Sequence, residues 1–126
     1  MRVRIGHLVL GYAFALVLYA PLALAHHGWA GQGTDTFELT GTVERALSLA
    51  GPHATMRIRD AKGQVWDLTL APPARTERAG LKEGAIPVGA TVTIVGKRNR
   101  DANRLEVKTE RVTYNGRNYD VYPDRL

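Results

Sequence analysis

The sequence contains no cysteine, and its only serine is Ser48. Without thiols the chain can form neither disulfides nor thiolate metal sites, and a lipid anchor on a processed cysteine is excluded. The sequence has no Gly-rich phosphate loop, and its single serine does not lie in a strand-to-helix elbow motif. We therefore expect a protein that is not an enzyme and whose stability comes from packing alone.

Long apolar runs are confined to the N-terminus. Arg2 and Arg4 precede an apolar stretch over residues 8–18, and small residues follow up to Ala25. This order is typical of a secretory signal peptide with an Ala-Leu-Ala cleavage site. An uncleaved anchor is the alternative, but the run is shorter than the roughly 20 residues of a membrane-spanning helix. The sequence thus predicts a signal peptide over residues 1–25, a periplasmic or secreted protein, and no membrane span after cleavage.

The sequence also has only a small excess of positive over negative charge. The formal net charge of the 126-residue chain is +5, and cleavage removes Arg2 and Arg4, which lowers it to +3. Such a weak positive charge does not indicate a polyanionic partner. Few aromatic residues are available to stack bases, and export would separate the protein from most nucleic acid. Nucleic acid is therefore not an expected partner.

The chain after the signal sequence has the period of β-strands. Residues 26–35 are rich in glycine and polar side chains, which predicts an arm or loop. From Thr36 onward apolar and polar residues alternate. The expected strands cover 36–49, 53–60, 65–70, 91–95, 105–114 and 117–122, with a short helix over 74–79, a bend or bulge at Gly41 and a polar hairpin tip over 97–104.

Three strands, a short helix and two further strands form the order of a small OB-like barrel. The predicted fold class is all-β, a five-stranded Greek-key barrel with one helix between strands three and four. A β-sandwich or roll would use the same strands, but the position of the helix favours the barrel. The expected organisation is a signal peptide over 1–25, an N-terminal arm over 26–35 and an OB-like domain over 36–126.

Three histidines remain after cleavage, namely His26, His27 and His53. Cleavage after Ala25 would make His26 the N-terminal residue, whose α-amine and imidazole form a chelating pair. Nitrogen ligands suit Cu(II), which stands highest in the affinity order of the divalent metals. The arm is long enough to fold back along strand one to His53, whose parity directs it away from the core. We interpret the three histidines as ligands of a transition metal, with copper the favoured cofactor.

Each of these residues also has an interpretation without a metal. A His-His pair after a cleavage site can be the polar start of a mobile arm, and His53 can be a turn residue that bonds the backbone. Trp29 can neighbour a metal site or pin the arm to the barrel, and pinning is favoured. Because 26 residues separate His27 from His53, no compact ligand motif is present, and both interpretations stay open.

A second class of function uses the barrel surface instead of a metal. OB barrels bind oligonucleotides or oligosaccharides through strands two and three and the adjacent loops. A solvated hairpin tip that protects a sheet edge would explain the same basic residues. The alternative hypothesis is a periplasmic module that binds an oligosaccharide, a protein or another anionic ligand. The candidate ligand face consists of Arg57, Arg59, Lys97, Arg98, Arg100 and Arg104.

Three segments of the mature chain resemble a family of small exported bacterial proteins that is known only as a domain of unknown function. That family has a His-His-Ser-Phe-like start, a Gly-Thr-Val strand and an Asn-Pro-His-Ala turn. This sequence has Gly-Trp in place of Ser-Phe and Gly in place of Asn. The resemblance implies that the three histidines belong together, but it implies no activity; a metal ion or a periplasmic protein remains the expected partner. The matching segments are 26–29, 39–43 and 51–54.

Overall fold

The computed structural model describes residues 29–126, which are mostly strand. The predicted signal peptide, His26 and His27 lie outside this range. No helix within it is long and apolar enough to cross a membrane. The elements in chain order are β1 Phe37–Ser48, β2 Thr55–Arg59, β3 Val65–Thr69, α1 Pro73–Arg78, β4 Thr91–Arg98, β5 Glu106–Tyr114, β6 Arg117–Asp120 and a 3-10 turn, Pro123–Arg125.

Five of the strands close into a barrel. β1 pairs with β2 on one edge and with β4 on the other, and antiparallel pairs also join β2 to β3 and β4 to β5. A parallel pairing of β3 with β5, in which Leu68 lies opposite Val107, completes the circle. The order around the barrel is therefore β1-β2-β3-β5-β4, that of an OB Greek key, with α1 between β3 and β4. The predicted fold is confirmed.

The interior is filled by the apolar face of each strand. Burying one such Val, Leu or Ile side chain contributes about 1.5–3 kcal/mol. The core faces predicted from alternation in the second, third and fourth strands are confirmed by their buried side chains. The side chains that fill the barrel are Val43, Met56, Ile58, Trp66, Leu68, Leu70, Val92, Ile94, Val107 and Val112.

The short helix extends this core. Pro73 begins α1, and Gly80, with φ +91°, follows its end. Proline at the first position and glycine past the last are the expected helix boundaries. Thr76 is fully buried, and its hydroxyl donates to the carbonyl oxygen of Ala71 at 3.0 Å. This bond fixes the helix to the end of β3.

The bend expected at Gly41 lies elsewhere. Gly41 pairs regularly with Val92, and the register of β1 against β2 shifts after Val43 and again after Arg45. The glycine serves a close approach instead, because a Cβ there would lie 2.7 Å from the carbonyl oxygen of Arg59. The expectation of a bulge at this residue was wrong.

A bulge does occur between β4 and β5. Val95 lies opposite Arg111 but Gly96 lies opposite Thr109, so Glu110 is the extra residue of β5. A Cβ on Gly96 would overlap the β5 backbone, so this position of β4 requires glycine.

Two predicted boundaries were also wrong. β2 begins at Thr55, where its pairing with both neighbours begins, so His53 lies in the preceding loop and not in a strand. β4 continues to Arg98, because β5 still offers paired backbone opposite Lys97 and Arg98. These two residues are strand residues, and the hairpin tip begins after them.

Candidate functional site

His53 is held at a fixed place on the barrel although it lies in a loop. Its neighbour Ala54 is fully buried, donates to the carbonyl oxygen of Ala71 and accepts from the amide of Leu70, both at 2.8 Å. Partial burial of the imidazole, and secondarily the charge of Lys108, lower the pKa of His53 below 6.5. The shift favours the neutral imidazole, which is the form that binds metal ions.

From Trp29 onward the N-terminal arm docks beside the end of β4 and not along β1, the path that its length alone would allow. The amide of Gly33 donates to the carbonyl oxygen of Arg98 at 2.8 Å, and the amide of Arg100 donates to that of Gly31 at 3.0 Å. Gln32 and Asn99 form an antiparallel bridge between these two bonds. The arm thus adds a short ribbon to the sheet.

The first described residue, Trp29, packs into a group of aromatic and cationic side chains. Its ring lies edge-on against Tyr122, with the centroids 5.1 Å apart. The guanidinium carbon of Arg125 lies 4.0 Å from its centroid, and the Lys108 ammonium lies 5.5 Å from both rings. We call these four residues the Trp29 cluster. Trp29 therefore attaches the arm to the barrel, which is the pinning role expected of it.

Lys108 is the unusual member of the Trp29 cluster, because it is only 3% exposed. Desolvation, with a further contribution from Arg125, lowers its pKa from 10.5 to about 8. Contacts with the π faces of Trp29 and Tyr122 partly replace the lost hydration. Lys108 nevertheless makes no ion pair within residues 29–126.

The strand register brings the Trp29 cluster towards His53. Lys108 on β5 lies opposite Thr69 on β3, and Thr69 lies opposite Thr55 on β2. These are two strand spacings of about 4.8 Å, and His53 precedes Thr55 by two residues. The effect of the Lys108 charge on the His53 pKa agrees with this proximity. The start of the described arm and the loop histidine therefore belong to one side of the barrel.

A buried carboxylate lies on the same strand. Glu110 is 1% exposed, and its Oε1 has no hydrogen-bond donor in the described part of the chain. The Lys97 ammonium lies 3.7 Å from that oxygen. Burial raises the pKa of Glu110, while the positive charges of Lys97 and Arg125 oppose this rise.

Between residues 29 and 126, no three histidine, aspartate or glutamate side chains are grouped closely enough to hold a metal ion. His53 is the only histidine of that range. A metal site at His53 would therefore need His26 and His27, which lie outside the described residues.

The six basic residues of the alternative ligand face are not one free surface. Arg57 pairs with Asp67 at 2.8 Å, and Arg59 pairs with Glu44. Each positive charge on β2 is thus largely balanced by a carboxylate on a neighbouring strand.

The other four basic residues serve different local contacts. Arg98 stacks on Trp66 at 4.7 Å from the ring centroid, and Arg100 donates to the carbonyl oxygen of Gln32 at 2.8 Å. Lys97 faces Glu110, while Arg104 is exposed at the hairpin tip. Because successive strand residues point to opposite faces, Lys97 and Arg98 cannot contribute to the same surface.

An open cleft of about 340 Å³ lies beside the stacked Arg98. Phe37 and Trp66, whose centroids are 5.3 Å apart, form its apolar wall. Asp60 also lines it, but this carboxylate already accepts the Trp66 indole N–H at 2.9 Å. The polar groups of the cleft are thus partly used within the protein.

Comparison with known proteins assigns the chain to a family. A family model described as a family of unknown function (DUF6152) matches residues 15–108. The chain belongs to this family. Membership confirms the resemblance to an uncharacterised domain family and brings no activity with it. No curated protein matches the chain.

Solved structures resemble the chain in fold only. The ZRD-deleted mutant of TiaS in complex with agmatine matches with a TM-score of 0.50 and 15% identity, over 68% of this chain and 26% of that chain. The Stn1-Ten1 complex of S. pombe matches with a TM-score of 0.48 and 16% identity, over 63% of this chain and 57% of that chain. This chain spans only part of the length of both.

The sequence did not predict a role for four residues of this face, namely Lys108, Glu110, Tyr122 and Arg125. Lys108 and Glu110 alternate with Val107 and Thr109, which predicts an ordinary solvent-exposed strand face. Only the arm and the C-terminal turn, which are distant in sequence, cover that face. The segment after β6 contains one aromatic and one basic residue, Tyr122 and Arg125, which is too little to indicate the contact from the sequence.

Proposed function

We propose that the protein is exported and, after removal of residues 1–25, binds a transition metal, with copper favoured, through His26, His27 and His53. Its role is binding and not catalysis. The observation that carries this proposal is the position of Trp29, which packs on Lys108 on the side of the barrel that also holds His53.

Chain length supports convergence of the three histidines. His27 precedes Trp29 by two residues and His26 by three, so their backbone atoms can lie up to about 7 and 10 Å from Trp29. The backbone beside His53 is held by the hydrogen bonds of Ala54, and the lowered pKa of His53 favours the neutral imidazole. One histidine next to a fixed backbone position and two within three residues of the docked Trp29 reduce the conformational freedom that metal binding must remove.

The N-terminus freed by cleavage supports copper over other metals. The α-amine and imidazole of His26 close a chelate ring, and two further imidazoles complete a nitrogen-rich set suited to tetragonal Cu(II). The described residues provide no thiolate and no group of carboxylates at this place. Ligands of the kind that favour calcium or magnesium are therefore missing from the described side of the site.

The test is Cu(II) titration of the protein that begins at His26, by calorimetry and electron paramagnetic resonance. We expect one tight site with nitrogen hyperfine coupling. Three alanines added before His26 should weaken binding by at least about tenfold, because they displace the amine from its chelate ring. Three are needed, since a single added residue would make His27 the third residue and create a new amine–amide–imidazole Cu(II) site. Three alanines added after Leu126 are the matched control and should have no effect.

His53→Ala tests the third ligand in the same assay. We expect a weaker site with an altered spectrum and an unchanged unfolding midpoint. Equal Cu(II) affinity in the N-terminally extended, C-terminally extended and His53→Ala proteins would refute the proposal.

A further inference from the structure

The charges around the Trp29 cluster do not balance. Two carboxylates each lie within ion-pair distance of one cation: Asp124 pairs with Arg75 at 2.8 Å, and Glu110 lies 3.7 Å from Lys97, while the charge of Arg125 also acts on Glu110. The remaining cations make no ion pair with any carboxylate of residues 29–126. The four cations of this region are Lys97, Lys108, Arg75 and Arg125.

The two unbalanced cations, Lys108 and Arg125, contact the same indole. Their cationic centres lie 5.5 and 4.0 Å from the Trp29 centroid, which limits their separation to 9.5 Å. At such distances two positive charges repel strongly when one of them is buried. Burial is the main cause of the lowered pKa of Lys108, and the positive charge of Arg125 lowers it further.

We propose that Lys108 and Arg125 form an anion-binding site beside Trp29 that takes a small oxyanion or carboxylate. Arg125 is exposed, so its guanidinium can meet an anion from solvent with two parallel N–H donors. Lys108 is buried, and low dielectric strengthens its attraction for an anion. A bound anion would replace the repulsion between the two cations with two attractive contacts.

The anion site would also reduce electrostatic repulsion at the proposed metal site. A Cu(II) ion at His53 would add positive charge near Lys108, which lies across β3 from the start of β2 in the strand register. An anion at Lys108 and Arg125 would offset this repulsion, so metal and anion should bind cooperatively. This coupling rests on the proposed function, whereas the anion site itself does not.

The metal-free protein tests the anion site alone. The indole N–H resonances of Trp29 and Trp66 are followed by NMR while sulfate, and separately acetate, replaces chloride at constant ionic strength. We expect a saturable shift of Trp29 at millimolar anion and no shift of Trp66, whose N–H is bonded to Asp60. The two anions separate oxyanion from carboxylate recognition.

Substitutions identify the cations responsible. Lys108→Met and Arg125→Gln should each weaken anion binding by about tenfold, the usual value of one charge-assisted hydrogen bond. Lys62→Met and Arg45→Gln remove exposed charges elsewhere and should leave anion binding unchanged. An unsaturable Trp29 shift, or equal effects of all four variants, would overturn the anion site whether or not the protein binds copper.

Cu(II) titration with and without the effective anion tests the coupling. The anion should raise copper affinity in the wild type. Lys108→Met should raise copper affinity in the absence of the anion, because repulsion is removed, and should abolish the effect of the anion. A copper affinity that is the same with and without the anion, and in wild type and Lys108→Met, would refute the coupling but not the proposed function. Failure of the wild type to bind copper would refute the proposed function.

Discussion

The inside of the barrel and the outer face beneath the N-terminal arm are both buried, but they are built differently. Inside, Ile58, Leu68 and Ile94 meet only apolar neighbours of the core. Under the arm, β5 buries Lys108 and Glu110, two ionisable side chains that strand parity assigns to solvent. Apolar packing in the barrel interior therefore stabilises the fold, whereas the buried charges of the outer face destabilise it.

The difference indicates where function lies. Buried charges without full compensation destabilise a fold by several kcal/mol, which makes the place where they occur a candidate binding site. Arm, C-terminal turn and β5 meet at this face, and His53 lies towards it across β3. Both proposals made above concern this face, and neither concerns the interior.

The largest change in the free energy of unfolding should come from a substitution in the barrel interior. Leu68→Ala removes a side chain that is 1% exposed and leaves a cavity at the seam between β3 and β5. We expect the free energy of unfolding to fall by about 2–5 kcal/mol in urea denaturation. Val88→Ala, at a residue 64% exposed, is the control and should change it by less than about 0.5 kcal/mol. Similar losses in both would mean that the barrel is not the stable unit described.

Under the arm, by contrast, a substitution should raise the free energy of unfolding. Lys108→Met keeps the volume of the side chain and removes the buried charge, so the free energy of unfolding at pH 7 should rise by on the order of 2 kcal/mol. Thermal and urea unfolding measure it. A loss of stability would show that the ammonium is better compensated than the described contacts indicate.

The pH dependence of the same pair of proteins sharpens this point. The pKa of Lys108 is about 8 in the folded protein and near 10.5 when unfolded, so between these values the unfolded chain binds more protons. The stability of the wild type relative to Lys108→Met should therefore rise with pH across this window and be constant below it. Urea midpoints from pH 7 to 10.5 test the sign, and a constant difference between the two proteins would contradict it.

Removing the aromatic anchor should have a smaller and local effect. Trp29→Ala deletes a half-buried ring, which should cost about 1 kcal/mol of global stability. Hydrogen exchange should accelerate at the amides of Gly33 and Arg100, which hold the arm, while the amide of Ala54 stays protected. Uniform acceleration at all three would mean that the arm is part of the barrel's cooperative unit.

The smallest effect should come from the exposed face of β2. Arg57→Gln breaks the pair with Asp67, which is partly exposed on both sides, and should cost less than about 1 kcal/mol. Raising the salt concentration should reduce the difference between variant and wild type, as urea denaturation at two ionic strengths would reveal. A loss as large as that of Leu68→Ala would contradict the division into a structural interior and a lightly coupled surface.

Alternation was enough to predict the barrel because its core faces use period two almost without error. Val92 and Ile94, or Met56 and Ile58, are buried as their parity requires. The bulges were not predictable, since a register shift such as that at Glu110 depends on two strands together. Gly41 was misassigned for the same reason, as its requirement for glycine comes from the Arg59 backbone of another strand.

The candidate site was only partly predictable. His53 and Trp29 stand out by residue type, so the sequence indicates them without any contact. Lys108 and Arg125 do not, because their burial and proximity arise from tertiary contacts between the arm, β5 and the C-terminal turn. A sequence pattern reports which face a residue takes, but not which distant segment covers that face.

Convergence of the amino-terminal histidines on His53 is tested most directly by NMR of the protein that begins at His26, with substoichiometric Cu(II). Paramagnetic broadening is confined to nuclei near the bound ion. If the three histidines bind one ion, their imidazole signals and the indole signal of Trp29 should broaden together, while the indole signal of Trp66 stays sharp. Broadening of His26 and His27 with an unchanged His53 signal would contradict it.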